Sequence, residues 1–377
     1  MKKPTIRDIA KQADVSPSCV SMILNGKSLS RFSQETVSRV YAASRELGYR
    51  NRRKEKEGQR EIILIICPSL TNPYYATLIQ GMEQEAKGQG YTTIIYTTYW
   101  DKEEEQAALE LCADPRIAGV VFSMIPQQPA LAEKAAASVP MVAVGDRNTS
   151  LGVDTIDVCN YRAGCMAASH LIGLGHRHVA YISTGLNSEH SSRVNRCTGL
   201  AEEYGRSCPE GSVTVYSRDV SPERELNVVE IEHSVGYALA QECLKKSPEI
   251  TAMVAINDMV AYGVRDALLD ARKKIPEDIS LCGFDNIYPS GFHGVELTTV
   301  EHSIVERGRS SIRLLAEKLR GQPGLAEDGN AVTRVEYQSR LVVRGSTGPA
   351  STGKTHSGTD RSWQKLPRPQ IREIKGE

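Results

Sequence analysis

The most explicit chemical pattern in the chain is GPASTGKT at 348–355, which matches the phosphate-binding loop G-x-x-x-x-G-K-[ST] letter for letter. Such a loop works where a strand leads in and a helix N-terminus comes next, so that backbone N–H groups face the phosphates. A strand-like run, RLVVR (340–344), does lead in. The segment after the loop is HSGTDRSWQKLPRP, with no apolar period and two prolines. A nucleotide site at Lys354 is therefore set aside. GLGHRH (173–178) begins like a dinucleotide fingerprint, but His178 stands where the third glycine belongs, and the segment precedes a strand. It reads as a helix C-terminus followed by a turn.

A second stretch, VSPSCVSMILNG (15–26), carries chemistry of another kind. Ser16 is placed to cap a helix, Pro17 sits at its first position where a missing N–H costs nothing, and Asn25-Gly26 ends it. Upstream, Thr5-Ile6-Arg7-Asp8 fits a capping box, and Ile6, Ile9, Ala10 and Ala13 fall on one helical face. Val20, Ile23 and Leu24 form the inner face of the second helix and leave Ser18, Cys19, Ser21 and Met22 outside. A third helix starts at Ser33 and runs through Val37, Val40, Tyr41 and Leu47 to Gly48. Two short helices joined tightly and braced by a third make a helix-turn-helix unit, whose second helix enters the major groove by its N-terminal end. Arg or Lys to guanine is the commonest base contact, yet nothing between Val15 and Gly26 is charged.

The charge balance supports a nucleic-acid partner for this head. Over 377 residues the net charge is zero, with 40% hydrophobic and 24% charged residues. Residues 1–60, however, hold roughly 14 Lys/Arg against about 6 Asp/Glu, so a basic head sits on an acidic body. The longest apolar run, Ile62–Cys67, is far short of a membrane span, and MKKPTIRDIAK lacks the apolar stretch of a secretory signal. The nine cysteines form no C-x-x-C pair, and Cys67, Cys243 and Cys282 lie in apolar segments as core-filling thiols. The expected compartment is the cytoplasm, and no cofactor or metal is expected.

From Glu61 onward, strand-like runs alternate with helical stretches. The strands are read at 62–67, 91–97, 117–123, 140–145, 178–184, 212–217, 252–256 and 279–285. Continuous β-branched runs suit parallel strands covered on both faces, and the length suits two subdomains with a cleft between them. Ligands of open α/β sheets bind beyond the strands' carboxyl ends. NPYY (72–75), GDR (145–147) and GFDN (283–286) are polar groups at such ends.

Taken together, TIRDIAKQADVSPSCVSMILNGK and RFSQETVSRVYAASRELGYR resemble the DNA-binding head of the LacI family of bacterial repressors. The three strand ends, with HLIGLGHRHVAYIST (170–184), R-C-T-G (196–199) and AINDMVAYG (255–263), are similar in order and spacing to that family's effector-binding core, so the resemblance covers about residues 4–345. It implies an α/β protein with a small all-α helix-turn-helix head and a two-subdomain, periplasmic-binding-protein-like body with parallel sheets. It also implies a homodimer on a double-stranded DNA operator and a small-molecule effector, sugar-like or a nucleobase. Carried over by position, Pro17, Ser18 and Met22 face bases, while Ser16, Ser21, Asn25 and Tyr49 match phosphate contacts. Thr5 is counted with this DNA-binding set. The position of Met22 is usually arginine, and Arg31, where some members place an extra base contact, is the candidate for the missing one. The implied effector contacts are Tyr74, Asp146, Arg147, Arg196, Asn257 and Asp285. Two positions often aromatic in sugar-responsive members fall at Ile231 and Ile304, with Trp100 as a replacement stacking face.

The expected domains are the head at 1–50, a charged hinge at 51–60, the effector-binding and dimerisation body at 61–345, and a disordered tail at 346–377 rich in Ser, Thr, Gly and Pro. RNRRKEKEGQR (50–60) lacks the proline and the minor-groove leucine that the family's hinge usually carries, so weaker operator kinking is expected. A transport-type binding protein would need an export signal and no helix-turn-helix head. A nucleotide-using enzyme would need a working phosphate loop. An activator of the same fold is the alternative within the class.

Overall fold

A computed structural model describes residues 5–24, single positions between 32 and 43, 62–146, 151–186, 191–320 and 331–351. Asn25, Arg31, Tyr49, Arg147, the hinge at 51–60 and residues 352–377 lie outside the described residues.

In the head, helix α1 (Ile6–Gln12) opens on the capping box: Asp8 Oδ2 accepts from Thr5 N at 2.7 Å, and Thr5 Oγ1 accepts from Asp8 N at 3.4 Å. Asp14 adopts φ +52, which turns the chain within two residues into α2 (Pro17–Leu24). Ser16 Oγ accepts from Cys19 N at 3.1 Å and caps α2. Ile9, Ala10, Ala13, Val20, Ile23, Val40 and Ala43 form one small core. Cys19 departs from expectation: it is half-buried and packs on this core, because it lies on the flank between Val20 and Ile23 and not on the outer face.

The body holds two six-stranded sheets. The first has the order β11-β5-β4-β3-β1-β2, all parallel, from β1 (Ile62–Cys67), β2 (Thr92–Thr97), β3 (Ile117–Phe122), β4 (Met141–Asp146), β5 (Asp154–Val158) and β11 (Arg334–Tyr337). The second has the order β12-β10-β9-β8-β6-β7, from β6 (His178–Thr184), β7 (Ser212–Arg218), β8 (Ala252–Ala255), β9 (Ser280–Asp285), β10 (Thr298–Glu301) and β12 (Arg340–Val342). Only β12 runs antiparallel, on β10. Strands β1 and β9 are buried along nearly their whole length, as unbroken apolar runs require.

Helices α3 (Pro73–Gly88), α4 (Lys102–Glu110), α5 (Pro129–Ala136) and α11 (Ile304–Leu319) cover the first sheet. Helices α6 (Asn160–Gly173), α7 (Ser191–Ser207), α8 (Pro222–Asn227), α9 (Ile231–Lys246) and α10 (Asp258–Asp270) belong with the second. The backbones of α3 and α11 come so close that a Cβ at Gly308 would run into Leu78 O, and one at Gly81 into Val305 O. The chain passes between the subdomains at 158–160, 301–304 and 337–340. Ser303, at φ +50, lies in the second crossing.

Strands β5, β10 and β11 are additions to the expected set. DTIDV and TTVE bury acids and threonines, and RVEY is a largely exposed edge, so none shows an apolar run. Asp154 in β5 is held by Thr333 N at 2.8 Å and Lys318 Nζ at 2.8 Å. The tail boundary also moves, because residues 346–351 are stitched to the second subdomain. Ser346 Oγ donates to Leu281 O at 2.6 Å, Gly348 N to Ser280 Oγ at 3.0 Å, and Ala350 N to Leu174 O at 2.9 Å. The last two amides belong to GPASTGKT and are spent on the protein itself. GLGHRH ends α6 and turns at Gly175, φ +86, as read.

Candidate functional site

Five of the six effector candidates, Tyr74, Asp146, Arg196, Asn257 and Asp285, line one cavity of about 120 Å³ between the subdomains. Tyr74, Asp146, Asn257 and Asp285 stand at strand ends or helix starts, and Arg196 lies in the second turn of α7. Asn72 caps α3 by accepting from Tyr74 N at 2.9 Å, and Asn257 caps α10 by accepting from Val260 N at 2.9 Å. Asp146 ends β4, and Asp285 ends β9 at φ +105, a conformation costly for a side-chain-bearing residue.

Arg196, 9% exposed, is the hub. Its Nε donates to Asn160 Oδ1 at 2.8 Å, Nη1 to Ile256 O at 2.7 Å, and Nη2 to Asp285 Oδ1 at 3.3 Å and His302 Nε2 at 3.2 Å. The guanidinium also lies 4.8 Å from the Phe284 ring centre. Asn160 Nδ2 donates onward to Asp146 Oδ2 at 2.6 Å, and His302 Nδ1 lies 2.9 Å from Ser339 Oγ. Because Arg196 must donate, His302 accepts on Nε2 and carries its proton on Nδ1. Asn160, His302 and Ser339 belong to the first, second and third crossings respectively. Arg196 is thus bonded, directly or through His302, to every crossing. Burial raises the Asp285 carboxyl above its ordinary range, with Arg196 opposing. Burial first, then Arg196 and Arg307, hold His302 well below the usual imidazole value, so it is neutral.

Polar contacts among the described residues reach across the cleft. Glu232, in the first turn of α9, accepts from Asn72 Nδ2 at 2.6 Å and from Asn257 Nδ2 at 2.8 Å, one donor from each subdomain. Arg193 of α7 lies 5.5 Å from the Trp100 ring centre across the cleft, so the ring faces a cation and is not a bare stacking surface. Arg307 of α11 donates to Tyr74 Oη at 3.1 Å and Gly145 O at 3.3 Å. Ile231 lines the cavity, whereas Ile304 is buried in the first subdomain's core. From NPYY the sequence carries only Tyr74 into the contact set, and it gives no sign of Ser123, Asn160, Arg193, Glu225, Glu232, His302 or Arg307. Asn72 was within reach, since it opens NPYY as an Asn-Pro helix start.

In the head, Pro17 and Ser18 are exposed, and Ser21 and Met22 are half-buried. Ser18 Oγ lies 2.9 Å from Ser16 Oγ. Thr5 Oγ1 donates to Asp8 Oδ2 at 2.7 Å, so its hydroxyl is spent on the cap. Among the described residues, no group of three or more His, Cys, Asp or Glu is arranged to hold a metal, and no helix is long and apolar enough to cross a membrane.

A body of two parallel sheets around a cleft, joined by three crossings and preceded by a helix-turn-helix head, defines a ligand-responsive DNA-binding protein. Residues 60–341 match the family described as periplasmic binding proteins and sugar binding domain of LacI family, and residues 5–51 match bacterial regulatory proteins, lacI family. The chain belongs to the LacI family of bacterial transcription regulators, whose DNA binding is controlled by an effector. The HTH-type transcriptional repressor PurR of Haemophilus influenzae (strain PittEE) is 28% identical over 348 residues, covering 91% of this chain and 98% of the relative. A CelR–cellobiose complex aligns with TM-score 0.63 at 23% identity, covering 91% and 99% of the two chains. The lac repressor dimer bound to operator and an anti-inducer aligns with TM-score 0.65 at 23% identity, covering 92% and 100%. At that identity the structural likeness is one of fold.

Proposed function

We propose that the protein is a homodimeric, cytoplasmic repressor in which two heads occupy the half-sites of a pseudo-palindromic operator. A sugar-like small molecule in the cleft sets operator affinity. The observation that carries this reading is the Arg196 network. A ligand that engages Arg196 or Asp285 competes for bonds that reach all three crossings, and so favours one angle between the subdomains over another. The matched domain description and the cellobiose held by the CelR structure support the ligand class.

On the DNA side, Pro17, Ser18 and Met22 read bases, and Ser16, Ser21, Asn25 and Tyr49 touch phosphates. Ser18 donates or accepts, Met22 offers apolar contact such as a thymine methyl, and Arg31 supplies the charged base contact. Thr5 adds its backbone position more than its hydroxyl. The body-side effector set is Tyr74, Asp146, Arg147, Arg196, Asn257 and Asp285.

The test is selection of genomic fragments by the full-length protein at near-physiological salt, followed by sequencing. A recovered palindrome with half-sites spaced by about one helical turn is expected. Fragments sharing no motif, with affinity that depends only on salt, contradict the reading.

A further inference from the structure

The charge of the cleft and its unmet hydrogen-bonding groups narrow the ligand class, on the premise that the cleft is the effector site. Four carboxyls, on Asp146, Glu225, Glu232 and Asp285, and three guanidiniums, on Arg193, Arg196 and Arg307, line the cavity. The guanidiniums are already engaged. Arg196 serves Asn160, Ile256 O, Asp285 and His302, Arg307 serves Tyr74 and backbone carbonyls, and Arg193 lies over Trp100. On the acid side, Asp285 is matched by Arg196 and Asp146 accepts from Asn160. The carboxyls exceed the guanidiniums by one, and the two that stand close enough to repel each other are Glu225 of α8 and Glu232 of α9.

Glu232 takes one amide donor on each oxygen, which leaves acceptor capacity for a third partner. No donor among the described residues reaches the Glu225 carboxyl. Burial, with the neighbouring Glu232 charge adding to it and Arg193 opposing, pushes that carboxyl up to about 7. A cation placed here relieves the repulsion, whereas an anion meets two like charges. A second and separate observation points to a ligand. Ser123, 2% exposed, lines the same cavity, and its buried Oγ has no hydrogen-bond partner among the described residues. The Tyr75 hydroxyl, also on the cavity, makes no hydrogen bond among the described residues. Unmet groups of this kind are completed by ligand hydroxyls.

We propose that the effector is a hydroxylated amine, of the amino-sugar class, whose protonated nitrogen binds at Glu225 and Glu232 and whose hydroxyls meet Ser123 and Tyr75. The acidic pair selects charge, and the serine and tyrosine select the hydroxylated frame. Specificity of this kind comes from penalising the wrong charge as well as from attracting the right one.

The experiment uses the full-length protein with three matched series: glucosamine, galactosamine and mannosamine, their neutral parent hexoses, and the parents' 6-phosphates. Thermal unfolding and titration calorimetry read binding, and an operator-binding assay reads its effect. At least one amine is expected to bind about tenfold or more tighter than its parent, with the phosphate weakest, and Glu225→Gln is expected to remove that preference. In ligand-free protein, Glu225→Gln is expected to raise Tm at about pH 8, where both acids carry charge, and to lose that gain at about pH 5. A parent or phosphate that binds as well as the amine overturns the charge assignment, while the effector reading stands if operator affinity responds. Binding with no change in operator affinity strikes the effector reading instead. Silence in all three series, or a lowered ligand-free Tm in Glu225→Gln at pH 8, also overturns the proposal.

Discussion

At the scale of single residues, Arg196 shows why a ligand-site candidate and a structural residue need not be alternatives. Its guanidinium is buried against Asp285, and its other donors hold Asn160, Ile256 O and His302. Arg196→Met should cost about 3–5 kcal/mol in urea unfolding, because the Asp285 charge loses its partner. Asp285→Asn in the same background should recover part of that loss, since it removes the stranded charge. If neither variant moves the unfolding midpoint, the pair is not a supporting contact. Met22 poses the same kind of question in the head. Met22→Arg should change which sequences the protein selects, and an unchanged motif with altered affinity would show that position 22 does not read bases.

At the scale of elements, the close crossing of α3 and α11 gives a sharp expectation. Gly308→Ala puts a methyl where Leu78 O already lies, and should destabilise by roughly 1–3 kcal/mol in chemical unfolding. A cost near zero would mean that the helices separate freely at this point. This scale also shows what the sequence could carry. Strands buried on both faces announce themselves as apolar runs, which is why β1 and β6 were read with their observed bounds. In β5, Asp154 and Asp157 are buried within the strand, the first held by Lys318 and Thr333 and the second by Thr155, partners far off or too polar to mark a strand. The cleft divides in the same way. Residues at strand ends could be proposed one by one, whereas Asn160 and His302 acquire meaning only when three distant crossings meet. Glu232 lies in the first turn of a helix that looks ordinary until Asn72 and Asn257 close on it.

At the scale of the whole molecule, buried titratable groups set how stability answers to pH. Burial pushes Asp258 up to about 7, although Ile287 N, Ser290 and Thr299 donate to it. Between roughly pH 4 and about 7 the folded state then holds a proton that the unfolded state has lost. Its contribution is full at low pH and disappears as pH rises through 7. Buried His176 and His302 act in the opposite sense, since their lowered values favour the folded state above about pH 6.5 and penalise it as pH falls. Asp258→Asn removes only the first effect. The stability difference between variant and parent should therefore move in the variant's favour from about pH 5 to about 7.5 in denaturant titrations. A difference that stays constant across this range would mean that Asp258 is already charged in the folded protein.

The shared grip on Glu232 has a consequence for the cell as well as for the cleft. Helices α3 and α10 start on opposite walls, and the amides that cap them converge on one carboxylate of the protein's own. The cleft is therefore partly fastened by an internal anion. On the proposed reading, any population fastened before a signal arrives is a leak in the switch, and it subtracts from the response left for a metabolite to produce. On the proposed reading, a change at Glu232 shifts the resting level of the regulated genes as well as the grip on the signal itself.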